Sequence, residues 1–465
     1  MEDKFVKIIS LHVEHLYGCY NYDVELNPDV TFVYGTNGCG KTTVLNITEA
    51  IITGQLYKLF DYDFRSMVLV YSPNASKQEL KRIKIDQRKN LLSILFEEHK
   101  YDIEKLNMHD DIRNIERDIR EVYRYYFSRY EILNIIKSTF NYVYLPLNRS
   151  SVLYDYEDNS EIYMMRRVRT RIPLENNLST ISETRDIAMI QIEDLINYHF
   201  SRINSTITKI NDNFRNDIMK SLLDVNQRYT VENFIQDIFM KKNTVTDFRK
   251  TNKAYIKMLK ELEILNKREE EKYNKFFAEF IDDFLKYQES DDKSISIELV
   301  TKFQEVTKIK NLVSIAEKME QRKALARKPI ELFINTMNGF IENSEDNKEI
   351  LIDSMGRVGF VTKYCKRPIS IQYLSSGEKQ LMTFFANLIF NVKSSTSGIF
   401  VVDEPELSLH LSWQKIFVEK TLEINSNIQL IFATHSPEII GNRRSKMFRL
   451  EKKFVGKGDE NCEQF

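Results

Sequence analysis

Hydrophobic and polar positions change period several times along the chain. Through residue 34 they alternate in short runs rich in β-branched and aromatic residues (VKIISLHVEHL, YDVEL, VTFVY), separated by Gly18 and Asn27-Pro28, which predicts a small antiparallel sheet. The last run, Val30 to Tyr34, ends at a glycine loop that feeds TTVLNITEAIITGQLYKLF, whose apolar residues recur at helical spacing. From Met67 to about Lys100 the alternation returns, broken at Ser72-Pro73-Asn74 and basic at Lys81 to Lys84, and an edge sheet is expected. Residues 103 to 139 predict charged helices. NYVYLPLNR (141 to 149) predicts a buried strand interrupted at Pro146, followed by a polar loop.

Breakers then almost vanish. No glycine lies between Gly54 and Gly339 and no proline between Pro173 and Pro329, while helical spacing recurs from Ser182 onward. A compact helical insertion is predicted. A long antiparallel coiled coil is disfavoured because a and d positions are not held apolar over successive heptads. Beyond Gly339, strand character resumes in KEILID, RVGFVTK and PISIQYL. A helix opens at Ser376, and two apolar runs, SGIFVVDE and IQLIFATHS, are separated by another helix. Such runs between helices predict a parallel sheet covered on both faces. The two ends therefore form one α/β body: residues 1–150 carry its first part, 151–181 a connecting loop, 182–345 the helical insertion, and 346–465 its second part.

Composition narrows the class. Gly 13 and Pro 8 in 465 residues fall well under the usual ~7% and ~5%, which favours long helices. Lys plus Arg, 67, nearly cancels Asp plus Glu, 68, so there is no global positive field and any DNA contact must be local. No apolar stretch approaches the roughly 18 residues of a membrane span, and the charged start MEDKFVK is unlike a signal core. Cys19, Cys39, Cys365 and Cys462 lie far apart with no CxxC pair. A cytoplasmic, reducing location is expected.

The chemistry concentrates at the two ends. Gly35-Thr36-Asn37-Gly38-Cys39-Gly40-Lys41-Thr42 fits G-x-x-x-x-G-K-[ST] at every position, between a predicted strand and helix. In such a loop, backbone amides of Asn37 to Thr43 and the helix N-terminus face phosphate oxygens. Lys41 reaches the outer phosphates, and the Thr42 hydroxyl suits Mg²⁺. Far downstream, Asp403 and Glu404 end an apolar strand. Asp403 is expected to hold the magnesium and Glu404 to polarise an attacking water as general base. Together the two motifs argue for nucleotide hydrolysis.

Leu374-Ser375-Ser376-Gly377-Glu378-Lys379-Gln380 opens a helix with a capping box, and it resembles the signature motif of ABC-type ATPases of the SMC, RecF and overcoming-lysogenisation-defect branch. That resemblance implies an ABC-type head, with a mixed sheet, an antiparallel subdomain and a helical insertion. It also implies that Ser375, Ser376, Gly377 and Glu378 of one subunit close over ATP on another, in a head-to-head homodimer. PELSLH (405 to 410) resembles the D-loop. Thr434-His435-Ser436 resembles the switch loop, whose histidine contacts the γ-phosphate and makes His435 a catalytic candidate. YLPLNR (144 to 149) resembles the Q-loop region of that branch but has no glutamine. The separation of 333 positions between Lys41 and Leu374 resembles the split heads of repair and defence ATPases rather than transporter domains.

Only 30 residues follow His435, so a nuclease, if there is one, is expected on a partner chain. Size and motif order resemble the ATPase subunit of the PARIS anti-phage defence system, with the Septu ATPase a near relative. The resemblance implies a homo-oligomer that controls a separate effector nuclease and senses a phage-encoded trigger protein. The alternative is a RecF-like repair or recombination ATPase acting directly on DNA, and a third reading is a static protein glued by ATP. The basic clusters Arg166, Arg167, Arg169 and Arg171, and Arg443, Arg444 and Lys446, are expected to be solvated surface rather than phosphate contacts.

Overall fold

The first two alternating runs pair as antiparallel strands, Lys7–Leu16 (β1) and Tyr20–Glu25 (β2), whereas Val30–Tyr34 (β3) leaves them for a second sheet. In this respect the expected N-terminal sheet is corrected: β3, apolar at four of five positions and buried on both faces, pairs only with parallel neighbours. This computed structural model describes residues 6–73, 79–106, 115–140, 142–144, 187–223, 244–289, 296–342, 346–391, 398–407 and 409–455. The polar loop 151–181, its arginine cluster and residues 145–149 lie outside them. By its internal contacts the chain divides into two units, one of residues 1–199 with 329–465 and one of residues 200–328.

In the first unit, β3 is followed by Lys41–Ile52 (α1). The strands Ser66–Ser72 (β4), Lys81–Arg88 (β5), Leu91–Phe96 (β6) and His99–Glu104 (β7) come next. The expected separate edge sheet is instead the continuation of the first: β4 pairs with β1, and the order across seven strands is β15-β2-β1-β4-β5-β6-β7, with β15 at Lys453–Phe454. One face carries Leu11, Val13, Met67, Leu69, Ile83, Ile85, Leu92, Ile94 and Ile103, all buried in a single core with Val44, Ile47 and Ile51 of α1. Residues 103 and 104, expected to open a helix, are the last two of β7. The helices that follow are Ile115–Arg129 (α2) and Glu131–Thr139 (α3), and Tyr142–Tyr144 (β8) is a short strand.

The five-stranded sheet has the order β14-β3-β13-β12-β8, every pair parallel, with β12 at Ile399–Asp403, β13 at Gln429–Ala433 and β14 at Met447–Arg449. Its register aligns Phe32, Phe432 and Val402 in one row and Val33, Ala433 and Asp403 in the next. Because side chains alternate between faces, the two rows point to opposite sides. Val401 and Ile431 join the α1 core. On the other face, Phe32 stacks on Phe432 with centroids 5.7 Å apart. Phe400 meets Phe384 of Ser376–Phe390, and Phe432 meets Phe417 of Leu411–Ile424. Helices thus cover both faces. Gln429, wholly buried, donates to Ile8 O (2.7 Å) and Asn27 O (2.8 Å) and accepts from Ile8 N (2.8 Å), which ties the two sheets together. Glu349–Ile352 (β9), Val358–Val361 (β10) and Ile369–Ser370 (β11) make a third, three-stranded antiparallel sheet.

The second unit contains residues of four helices: Ile187–Leu223 (α4), Val245–Glu261 (α5), Lys267–Glu289 (α6) and Ile297–Ile341 (α7). Its boundary falls inside α4 and, in α7, at Pro329. Its core is aromatic rather than a heptad seam, with Phe248 edge-on to Phe280 at 4.9 Å and to Phe284 at 5.1 Å. Thr244 and Asp247 form a reciprocal capping box that starts α5.

Candidate functional site

Three loops leave the same edge of the parallel sheet, because β3, β13 and β12 run in one direction and in register. The carboxyl edge of such a sheet is where open α/β folds bind ligands. Gly35 to Gly40 form the first loop. Gly38 (φ 76°) and Gly40 (φ 102°) take the left-handed conformation, which glycine adopts without strain. A Cβ on Gly40 would stand 2.5 Å from the Tyr22 hydroxyl. That hydroxyl donates to Cys39 O at 3.1 Å and so pins the loop from the antiparallel sheet. Burial pushes the Tyr22 phenol up to about 12, so it remains a donor.

Helix α1 begins at Lys41 with no side-chain cap and no acid in its first turn. The free amides and partial positive charge of that helix end therefore suit an anion. Lys41 is 7% exposed, and its Nζ donates to Gly35 O at 3.1 Å, closing the loop on itself. Thr42 is exposed, and its Oγ1 donates to Asp403 Oδ2 at 2.8 Å. The other carboxylate oxygen, Asp403 Oδ1, is buried and has no hydrogen-bond partner among the described residues. A hydroxyl beside a carboxylate with an unsatisfied oxygen is a donor set that fits a hard cation such as Mg²⁺.

Glu404 follows with φ 48°, left-handed for a non-glycine residue, and its N–H donates to Ala433 O at 2.8 Å. Holding that conformation costs on the order of 1 kcal/mol. Strain of this kind is tolerated where the surrounding fold over-determines it. One strand over, Thr434 is fully buried and its N–H donates to Val33 O at 3.2 Å, while His435 is exposed. The structure therefore brings Lys41, Thr42, Asp403, Glu404 and His435 to one sheet edge.

The signature residues begin Ser376–Phe390, past β11. Ser375 caps that helix by accepting from Glu378 N at 3.4 Å, and Glu378 Oε2 accepts from Ser375 N at 2.7 Å. Ser375 and Ser376 are exposed, but Glu378 is 3% exposed and paired with Lys348 Nζ at 2.9 Å. The carboxylate expected at a subunit contact is held within its own chain. In the basic cluster after the histidine loop, Lys446 pairs with Asp29 at 2.8 Å.

Sequence reasoning missed Tyr22, Glu406 and Lys348. Tyr22 is legible as an inward position of an alternating strand, but its partner is not. Glu406 and Lys348 carry no periodic signal at all.

A phosphate-type loop facing a strand-end acid and a second polar loop defines the P-loop nucleotide-binding class. Within it, the chain belongs to the family described as AAA domain, putative AbiEii toxin, Type IV TA system, whose model matches residues 30–441. It is similar to a retron Ec83 probable ATPase of Escherichia coli, 34% identical over 80 residues (15% of this chain and 15% of the relative). It is similar also to endonuclease GajA of Bacillus cereus (strain HuB5-5), 23% identical over 451 residues, 90% of this chain and 54% of the relative. A retron Vc95 probable ATPase of Vibrio cholerae is 34% identical over 91 residues, 18% of each chain. The matches thus span about half or less of these relatives' own lengths. Among solved structures, an Smc head domain from Pyrococcus furiosus overlaps 97% of this chain at 12% identity with a TM-score of 0.39. One from Pyrococcus yayanosii overlaps 97% at 11% with a TM-score of 0.37.

Proposed function

We propose that this chain binds ATP with Mg²⁺ at residues 37–43 and hydrolyses it. Glu404 orients the attacking water, Asp403 and Thr42 hold the metal, and His435 meets the γ-phosphate. The observation that carries the reading is the Thr42–Asp403 hydrogen bond, which joins the two motifs a hydrolytic site needs. A lone phosphate loop leaves one side of the γ-phosphate to solvent, so a second copy is proposed to close it through Ser375 and Ser376. Their exposure at a helix N-terminus supports that role.

The assembled homo-oligomer is proposed to control a separate effector, a nuclease, in anti-phage defence in the cytoplasm, released on sensing a phage protein, as in PARIS-like systems. Similarity to retron ATPases and to an endonuclease supports this class of role. Turnover of purified protein, with and without DNA, together with a pull-down from native cells, tests it. Expected are turnover that needs Lys41 and Mg²⁺, little stimulation by DNA, and a co-purifying second subunit. Strong, salt-sensitive DNA stimulation with no partner recovered would favour the RecF-like alternative instead.

A further inference from the structure

Both oxygens of one carboxylate are spent on the histidine loop. Glu406 Oε2 accepts from Thr434 Oγ1 at 2.8 Å, and Oε1 accepts from the His435 backbone N–H at 2.6 Å. Glu406 lies in the single 3-10 turn Pro405–Leu407, two residues beyond Glu404, and Leu407 N donates back to Glu404 O at 3.2 Å. A second side chain makes the same connection. Gln414 Nε2 donates to Leu409 O at 2.8 Å, while its Oε1 accepts from Ser436 Oγ at 2.6 Å. Helix capping does not explain Glu406, because the next helix, Pro437–Ile440, already has its cap: Ser436 accepts from Glu438 N and Ile439 N.

We propose that Glu406 is a positioning residue that latches the loop bearing His435 to the turn bearing Glu404, so that it governs turnover and not nucleotide affinity. The inference rests on the hydrolytic reading above. Charge-assisted bonds to a bidentate acceptor are the strong ones, and they fix direction as well as distance. With the latch made, the segment 434–436 is held directly to Glu406 at two points, and at a third through Gln414, which bonds Leu409 O. With it broken, the histidine loop keeps its strand register through Thr434 N and the Ser436–Gln414 contact, and neither of these holds the His435 amide.

The test uses the full chain with Glu406→Gln, Thr434→Val and the double variant. Glu406→Gln keeps the shape but loses the charge, and the Thr434 hydroxyl must turn to accept from the new amide instead of donating to a carboxylate. Its kcat should fall about ten- to a hundredfold while KM and ATP affinity stay within about twofold. The double variant should be little slower than Glu406→Gln, because the Thr434 bond that Thr434→Val removes is one that Glu406→Gln has already weakened. A merely structural role would lower Tm and raise KM in step; that result, an unchanged kcat, or multiplying losses would overturn the latch. Hydrogen exchange at the His435 amide reads the latch without any hydrolysis. It should quicken about tenfold in Glu406→Gln, and equal exchange would overturn the proposal. If the wild type turns over no faster than Lys41→Ala, the hydrolytic reading fails, and the exchange result still decides the latch.

Discussion

Thr42 and Asp403 stand 361 positions apart in the chain and share a hydrogen bond of 2.8 Å. The bond exists because β3 and β12 flank β13 in a register that lines Val33, Ala433 and Asp403 in one row. Lys41, one residue earlier, closes the glycine loop through Gly35 O. Lys41→Ala should therefore weaken ATP binding at least about tenfold, since it removes a charge-assisted contact to phosphate. Titration with a fluorescent nucleotide measures it; unchanged affinity would remove this loop from the site.

Glu404 occupies a left-handed backbone position beside Asp403. As the proposed general base, its replacement in Glu404→Gln should lower kcat by about 10²–10⁴-fold, with ATP still bound. Association that depends on ATP should then last longer, because the bound nucleotide is not consumed. Single-turnover hydrolysis and sedimentation check the pair of effects. Turnover equal to the wild type would exclude Glu404 as the base.

Ser375 and Ser376 are exposed at the start of their helix, while Glu378 and Lys348 are paired beneath them. Ser375→Arg should leave ATP affinity intact and abolish ATP-dependent association of copies. Light scattering with and without ATP distinguishes the cases, and normal association would contradict a contact in trans.

Tyr22 touches the glycine loop from another sheet through Cys39 O and the Gly40 backbone. Tyr22→Phe should cost about 1 kcal/mol of stability through the lost hydrogen bond. Gly40→Ala adds a Cβ at a positive φ and against the hydroxyl, so it should be worse on both folding and ATP affinity. Urea denaturation of the two variants ranks them; a Gly40→Ala protein as stable as the wild type would refute the close approach.

Lys7 is buried, hydrogen-bonded to Asn427 O, and burial lowers its ammonium pKa from 10.5 to about 8. Between those values the unfolded chain holds the proton and the folded chain does not, so this group makes stability rise with pH across pH 8 to 10. Lys7→Met should flatten that rise and gain stability at pH 7, where the wild type still carries the buried charge. Thermal melting of both proteins at pH 7, 8.5 and 10 checks it. Parallel profiles would mean that Lys7 is fully solvated when folded.

The glycine loop at 35–40, the strand ending in two acids, the helix opening at Ser376 and the helices of the middle were all legible in the sequence, because each rests on local spacing. Glycines at fixed offsets, apolar runs of strand length and helical periodicity need no knowledge of distant neighbours. Apart from residues 103 and 104, which end β7 instead of opening a helix, the sequence misjudged partners rather than elements. β3 looks like its alternating neighbours β1 and β2, yet it crosses to the parallel sheet, and β4 to β7 extend the first sheet rather than build another.

What only tertiary structure decided is which side chains meet across long stretches of chain. Glu406 and the histidine loop, Lys348 and Glu378, and Tyr22 and the glycine loop are pairings set by sheet order and helix packing. A carboxylate's geometry is fixed by the donors that fold around it, and one-dimensional spacing says nothing of them. The chain alone thus specified a glycine loop and two acids. Folding decided that they share one edge, and that a third carboxylate holds the loop beside them.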